Sequence, residues 1–177
     1  MIVDDTEFNL LTVSSMIQKN FKIKPDEAQN GQIAIEMYER ALNLPCKCQN
    51  RVYKLILMDI QMPVMDGFKA SERIIDMMKK CRNQDKCQSS NCLTSTLQQD
   101  KEVSNSLTDI VALTAYVSDE SIKRCLSIGM RKVLSKPVTL KQLNEVMQLY
   151  FYRISKDEYR QKQSLAKQNY MQSVKKS

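Results

Sequence analysis

Four apolar runs in this chain end on side chains that can handle a phosphoryl group or a cation. Met1-Ile2-Val3 ends on Asp4 and Asp5, and Leu55-Ile56-Leu57-Met58 ends on Asp59. Ile110-Val111-Ala112-Leu113 ends on Thr114 and Ala115, and Val133-Leu134-Ser135 ends on Lys136. A lone acid at a strand end is most often a turn cap. Acids, a hydroxyl and an ammonium at four successive strand ends are what one site for a phosphoryl group and a divalent cation requires.

The elements around these residues follow from local chemistry. The run before Asp59 is continuously apolar, which suits a central strand of a parallel sheet covered on both faces. Pro63 cannot join a ladder and Asp66-Gly67 is turn chemistry, so Asp59 falls at the carboxyl end of its strand, the edge where open α/β sheets bind ligands. Thr6 or Asp5 is expected to cap a helix from Glu7 to Asn20 with Leu10, Val13, Ile17 and Phe21 on one face. Phe21 to Gln29 reads as a weak edge strand. Asn30-Gly31 opens a helix to about Leu44, with Ile33, Met37 and Ala41 facing in, and Pro45 stops it. A third helix runs from Gly67 to about Lys80 on Phe68, Ile74, Ile75 and Met78. Residues 81–108 are rich in Gln, Ser, Asn and Lys, too polar and too long for an ordinary connection, and read as a disordered insertion with at most a helical turn. A helix over Ser118–Ile128 ends at Gly129. After Pro137, Leu140, Leu143, Met147, Tyr150 and Ile154 mark one face of a last helix, whose outer edge offers a dimer surface.

The chain has 177 residues, 42% of them hydrophobic and 27% charged, which suits one globular domain with a core of its own. No apolar run reaches the length of a membrane span and the start lacks a secretory pattern, so a cytosolic or nuclear setting with six reduced cysteines is expected. Only three residues precede Asp4, which suggests a fragment. The net charge of +7 is concentrated in residues 153–177, whose seven Lys/Arg and two Asp/Glu give +5 and leave +2 for residues 1–152. The basic tail reads as a solvated helical extension, and the body gives no electrostatic argument for nucleic acid. There is no histidine, so a phosphohistidine could only belong to another chain or to another part of a larger protein.

Asp4-Asp5, Asp59 within LMDIQMPVMDG, Thr114 within ALTA and Lys136-Pro137 within LSKP resemble the response-regulator receiver family. CLSIGM and GMRKVLSKP are nearest to the receivers of hybrid histidine kinases. The resemblance covers residues 1 to about 152 and implies a doubly wound five-stranded parallel sheet of order 2-1-3-4-5. That order gathers the ends of strands 1, 3, 4 and 5. Three carboxylates gathered there could not all ionise cheaply without a cation, and Mg²⁺, which keeps several waters, suits so few oxygen ligands. The family implies that Asp59 accepts the phosphoryl group. It implies metal binding by Asp4, Asp5, Asp59 and the Gln61 carbonyl, and phosphate binding by Thr114, the Ala115 N–H and Lys136. A cis Lys136–Pro137 bond is implied as well. The implied partner is a histidine kinase or histidine phosphotransfer protein.

Two positions depart from the family. Val133 stands where an aromatic switch residue is frequent, and Tyr116 lies two residues past Thr114, flanking the approach of water as Gln61 does. A pseudo-receiver that never takes phosphate is the competing class, opposed by the retained acids, Thr114 and Lys136. A haloacid-dehalogenase-like phosphatase would need an acid two residues past the nucleophile, where Gln61 stands. Cys46, Cys48, Cys81, Cys87 and Cys92 fall in two loops at the opposite sheet edge. Ordinary free thiols are expected there, with zinc binding by four of them the alternative, and Cys125 faces the core.

Overall fold

The computed structural model describes residues 1–43, 53–84 and 108–174. It consists of two compact units, Met1–Val138 and Thr139–Ser177. The first holds β1 (Ile2–Val3), α1 (Glu7–Phe21), β2 (Glu27–Ala28), α2 (Gly31–Leu42), β3 (Leu55–Asp59), α3 (Gly67–Gln84), β4 (Asp109–Thr114), α4 (Asp119–Ile128) and β5 (Lys132–Ser135). The five strands form one parallel sheet in the order β2-β1-β3-β4-β5, the expected doubly wound arrangement.

Every residue of β3 and β4 is buried, which is why their runs are continuous rather than alternating. Val3, Ile56, Met58, Ile110 and Ala112 pack with Ala34, Tyr38, Ala70, Ile74 and Cys125 in one core cluster. Gly129, at φ 111, ends α4 in the left-handed conformation that glycine adopts without steric cost.

Several local expectations need correction. Thr6 precedes α1 without a side-chain cap; its N–H instead donates to Asp4 Oδ1 at 3.0 Å, because a buried strand-end carboxylate already faces the helix start. The edge strand shrinks to Glu27–Ala28, since α1 runs to Phe21 and Lys22 turns the chain through a left-handed φ of 57. On α2 the buried residues are Gly31, Ala34, Ile35 and Tyr38, with Ile33 and Met37 at the flank, so the inward face is rotated from the one expected. A Tyr38 hydroxyl satisfied by Thr108 Oγ1 at 3.0 Å lets a large aromatic fill that position.

The expected insertion also contracts at both ends. α3 continues to Gln84, and Thr108 is 1% exposed. Residues 85–107 lie outside the described residues, as do Cys46, Cys48, Cys87 and Cys92; Cys125 is a free, buried thiol.

In the second unit, α5 (Leu140–Val146) starts at a capping box of Thr139 and Gln142 and buries Leu143 and Val146. The single last helix expected to Ile154 is interrupted. One π turn occupies Met147–Phe151, Arg153 takes a φ of 59, and α6 (Lys156–Val174) follows. No helix among the described residues is long and apolar enough to cross a membrane.

Candidate functional site

Strand register explains which side chains can meet. Ile2 and Val3 stand beside Leu57 and Met58, so Asp4, the next residue, is level with Asp59. Asp59 pairs with Leu113, which puts Thr114 one residue further along, and Thr114 pairs with Ser135, which puts Lys136 two residues further. Two residues of strand are about 6–7 Å, a span that a lysine side chain bridges when it points back along the sheet edge.

Lys136 does reach back. Its Nζ lies 2.5 Å from Asp59 Oδ2 and 2.6 Å from Asp4 Oδ2. Both carboxylates are buried and the lysine is mostly so, which makes these short charge-assisted bonds rather than a screened surface pair. Asp59 Oδ1 accepts the Gln61 N–H at 3.1 Å, while Asp4 Oδ1 accepts from Thr6 N and from Asn9 Nδ2 at 2.9 Å. Asp5 is exposed and completes a trio with Asp4 and Asp59 whose carboxylate oxygens lie within 4.8 Å of one another.

The trio carries three carboxylates against one ammonium. Burial pushes the Asp59 pKa above the usual carboxylate value. The Lys136 bond, the Gln61 N–H and the Lys136 charge pull it down, Asp4 pushes it up, and the net direction is up. For Lys136 burial works to lower the pKa, but the bonds and charges of Asp4 and Asp59 outweigh it and raise it. The Asp59 direction reports burial above all, and the Lys136 direction reports the two carboxylates beside it. An all-oxygen donor set with unbalanced negative charge fits a small, hard divalent cation.

Thr114 is buried at the carboxyl end of β4, and its hydroxyl is tied to its own loop. It donates to the Tyr116 carbonyl at 2.8 Å and accepts from the Tyr116 N–H at 3.1 Å. Ala115, Tyr116 and the Gln61 side chain are exposed. The Lys136–Pro137 peptide is cis, and the Lys136 N–H donates to the Thr114 carbonyl at 2.7 Å, linking β5 to β4 beside the pocket. Val133 is partly buried against the core.

Two features escaped the sequence reading. Asn9 orients Asp4 from the first turn of α1, and nothing in its own type or spacing announced that contact. Gly67 lets α3 begin against β3, since a Cβ there would lie 2.0 Å from the Asp59 carbonyl oxygen.

The model of the response regulator receiver domain matches residues 1–82. Histidine kinase 5 of Arabidopsis thaliana is 34% identical over 155 residues, which are 86% of this chain and 15% of that protein. Probable histidine kinase 1 of Oryza sativa subsp. indica is 30% identical over 158 residues, 85% of this chain and 15% of that protein. The chain thus spans 15% of the length of either kinase. Among solved structures, the receiver domain of Ssk1 from Saccharomyces cerevisiae, in a co-crystal with the histidine phosphotransfer signaling protein Ypd1, superposes with a TM-score of 0.63. It is 27% identical, with 88% of this chain and 90% of that one covered. The receiver domain of the sensor histidine kinase PA1611 from Pseudomonas aeruginosa, solved with a magnesium ion in its active site cleft, gives a TM-score of 0.57 at 23% identity, covering 84% of this chain and 93% of that one.

Proposed function

This chain is a response-regulator receiver domain related to those of hybrid histidine kinases, and from that premise we propose that Asp59 accepts a phosphoryl group from a phosphohistidine. The observation that carries the proposal is the Lys136 ammonium lying between Asp59 and Asp4 at 2.5 and 2.6 Å, inside a trio of acids.

The chemistry follows from these groups. An Asp59 carboxylate oxygen attacks phosphorus while the P–N bond of the donor breaks, and the imidazole nitrogen keeps the electron pair. The product is an acyl phosphate. Lys136 neutralises charge on the phosphoryl oxygens as a point cation, and the Thr114 hydroxyl and Ala115 N–H donate to them. For Thr114 this means exchanging its present bond to the Tyr116 carbonyl for one to phosphate. Mg²⁺ held by Asp4, Asp5, Asp59 and the Gln61 carbonyl would supply further charge neutralisation at the same oxygens. Asn9 and the Thr6 N–H keep Asp4 oriented for that role. Attack by water later releases phosphate and restores Asp59, so the mark is transient.

The donor is a histidine kinase or histidine phosphotransfer protein, and the chain works in a phosphorelay as the receiver part of a hybrid kinase or as a single-domain regulator. Its setting is the cytosol or nucleus. A dimer through the second unit belongs to the same reading, with Leu140, Tyr152 and Leu165 exposed there.

Beryllofluoride, which mimics a phosphoryl group on a carboxylate, tests the pocket without any donor. With Mg²⁺ it should shift the amide resonances of Asp59, Thr114, Ala115 and Lys136 in the wild type and leave Asp59→Asn unchanged. Equal shifts in both proteins, or none in either, would refute the assignment.

A further inference from the structure

We infer that Gly31, at the start of α2, is a positioning residue for the loop that follows Asp59, and through it for the hold on the cation; this rests on the function proposed above and deepens it. The loop from Ile60 to Asp66 carries Gln61, whose N–H donates to Asp59 Oδ1 at 3.1 Å and whose carbonyl is a proposed Mg²⁺ ligand. The two ends of the loop are pinned. The Ile60 N–H donates to the Leu113 carbonyl at 3.0 Å, and the Gly67 N–H returns to the Ile60 carbonyl at 3.2 Å. The middle is strained. The Met65 N–H donates to the Pro63 carbonyl at 2.8 Å, closing a three-residue turn in which Val64 takes a φ of 67, a conformation that a β-branched residue rarely adopts. Val64 is 86% exposed, so packing does not hold it there.

Gly31 supplies a hold from outside the loop. Its N–H, one of the donors that a helix start leaves without an intrahelical partner, donates to the Met65 carbonyl at 3.3 Å. The approach leaves no room for a side chain. A Cβ on Gly31 would lie 2.8 Å from the Met65 carbonyl oxygen, 2.8 Å from the Ala70 Cβ and 3.0 Å from the Met65 Cγ. The first is backbone and the second has no rotamer to swing aside. Gly31 has no positive φ, unlike Gly129, so what glycine gives here is proximity rather than backbone freedom. With alanine, the Met65 carbonyl must retreat by about 0.6 Å to reach ordinary contact at 3.4 Å, the difference of 3.4 and 2.8. A bond already 3.3 Å long does not survive that. The Val64 turn then relaxes, and Gln61 loses its fixed place beside Asp59.

The test follows Mg²⁺ binding to the full chain by amide resonances. Gly31→Ala should bind Mg²⁺ about tenfold more weakly than the wild type, the usual scale for losing a group that supports a metal ligand. Asn30→Ala is the control. It removes the side chain that accepts from the Ile33 N–H at 2.9 Å, so it lowers the melting temperature at the same helix start. It leaves Met65 untouched and should bind Mg²⁺ as the wild type does. A second reading needs no variant. Coupling is reciprocal, so saturating Mg²⁺ should slow hydrogen exchange at the wild-type Gly31 amide about tenfold and leave the Ile33 amide unchanged. Wild-type affinity in Gly31→Ala, equal weakening in both variants, or equal slowing or none at the two amides would overturn the inference with the phosphoacceptor reading intact. A wild type that binds no Mg²⁺ would instead refute the function proposed above, and the inference with it.

Discussion

Replacing Gly67 by alanine should damage the phosphoacceptor without touching any polar group of the site. The added Cβ would lie 2.0 Å from the Asp59 carbonyl oxygen and 2.9 Å from the Ile60 Cα. Cβ atoms essentially never approach heavy atoms closer than 3.0 Å, so the start of α3 and the end of β3 must separate by about 1 Å, the difference of 3.0 and 2.0. Neither neighbour is a flexible side chain, and the Gly67 N–H bond to the Ile60 carbonyl, 3.2 Å, stretches with the shift. Overpacking of this kind costs about 1–3 kcal/mol. For a chain of this size that is a melting temperature lower by about 3–10 °C. Displacement of a reacting group by about 1 Å can cost about a hundredfold in rate. The assay is initial labelling by acetyl phosphate with Mg²⁺, read by intact mass alongside a thermal melt. Gly129→Ala is the control, because it strains a left-handed position at the end of α4 and should cost about 1 kcal/mol with labelling unchanged. Wild-type labelling by Gly67→Ala, or equal labelling losses in both variants, would refute the claim that Gly67 positions Asp59.

Lys136→Met leaves Asp4 and Asp59 buried without their ammonium. It should abolish labelling and destabilise the chain by about 3 kcal/mol in chelator, with Mg²⁺ restoring more melting temperature to the variant than to the wild type; equal gains in paired melts would contradict this. Burial pushes the Tyr38 phenol up to about 12, against the bond to Thr108, which lowers it. A raised folded-state value means its stabilisation is complete below pH 10 and disappears as pH rises to about 12, about 3 kcal/mol in all. Tyr38→Phe should remove that share of the alkaline loss and cost about 1 kcal/mol at neutral pH, as denaturant melts across that range would show. Tyr116→Ala should shorten the lifetime of phospho-Asp59 by opening the path of water, and an unchanged decay rate would sink that idea.

The sequence was most informative where burial is two-sided and turns are sharp. The runs ending on Asp59 and Thr114 could be placed because an apolar stretch stopped by a polar residue, Pro or Gly has few other structural solutions. Lys136 could be placed at a strand end by the same logic. Its contact with both Asp4 and Asp59 could not, because it depends on a register between strands that one chain does not display locally. The Thr114 hydroxyl was expected to face phosphate, whereas in this structure its nearest polar partners are the backbone groups of Tyr116. A hydroxyl can satisfy itself locally in ways that spacing alone does not reveal. The inward face of α2 was misjudged because Tyr38 counts as half polar until Thr108, 70 residues away, takes its hydroxyl. The π turn at Met147–Phe151 preserves an apolar spacing that reads as one continuous helix.

The most direct measurement is site-resolved labelling. The wild type and Asp59→Asn would be exposed to acetyl phosphate with and without Mg²⁺, then digested and mapped by mass spectrometry. A single hydroxylamine-labile phosphoryl group should appear on the peptide containing Asp59, only with Mg²⁺ and only in the wild type. Phosphate on another residue, or equal labelling of Asp59→Asn, would contradict the central claim.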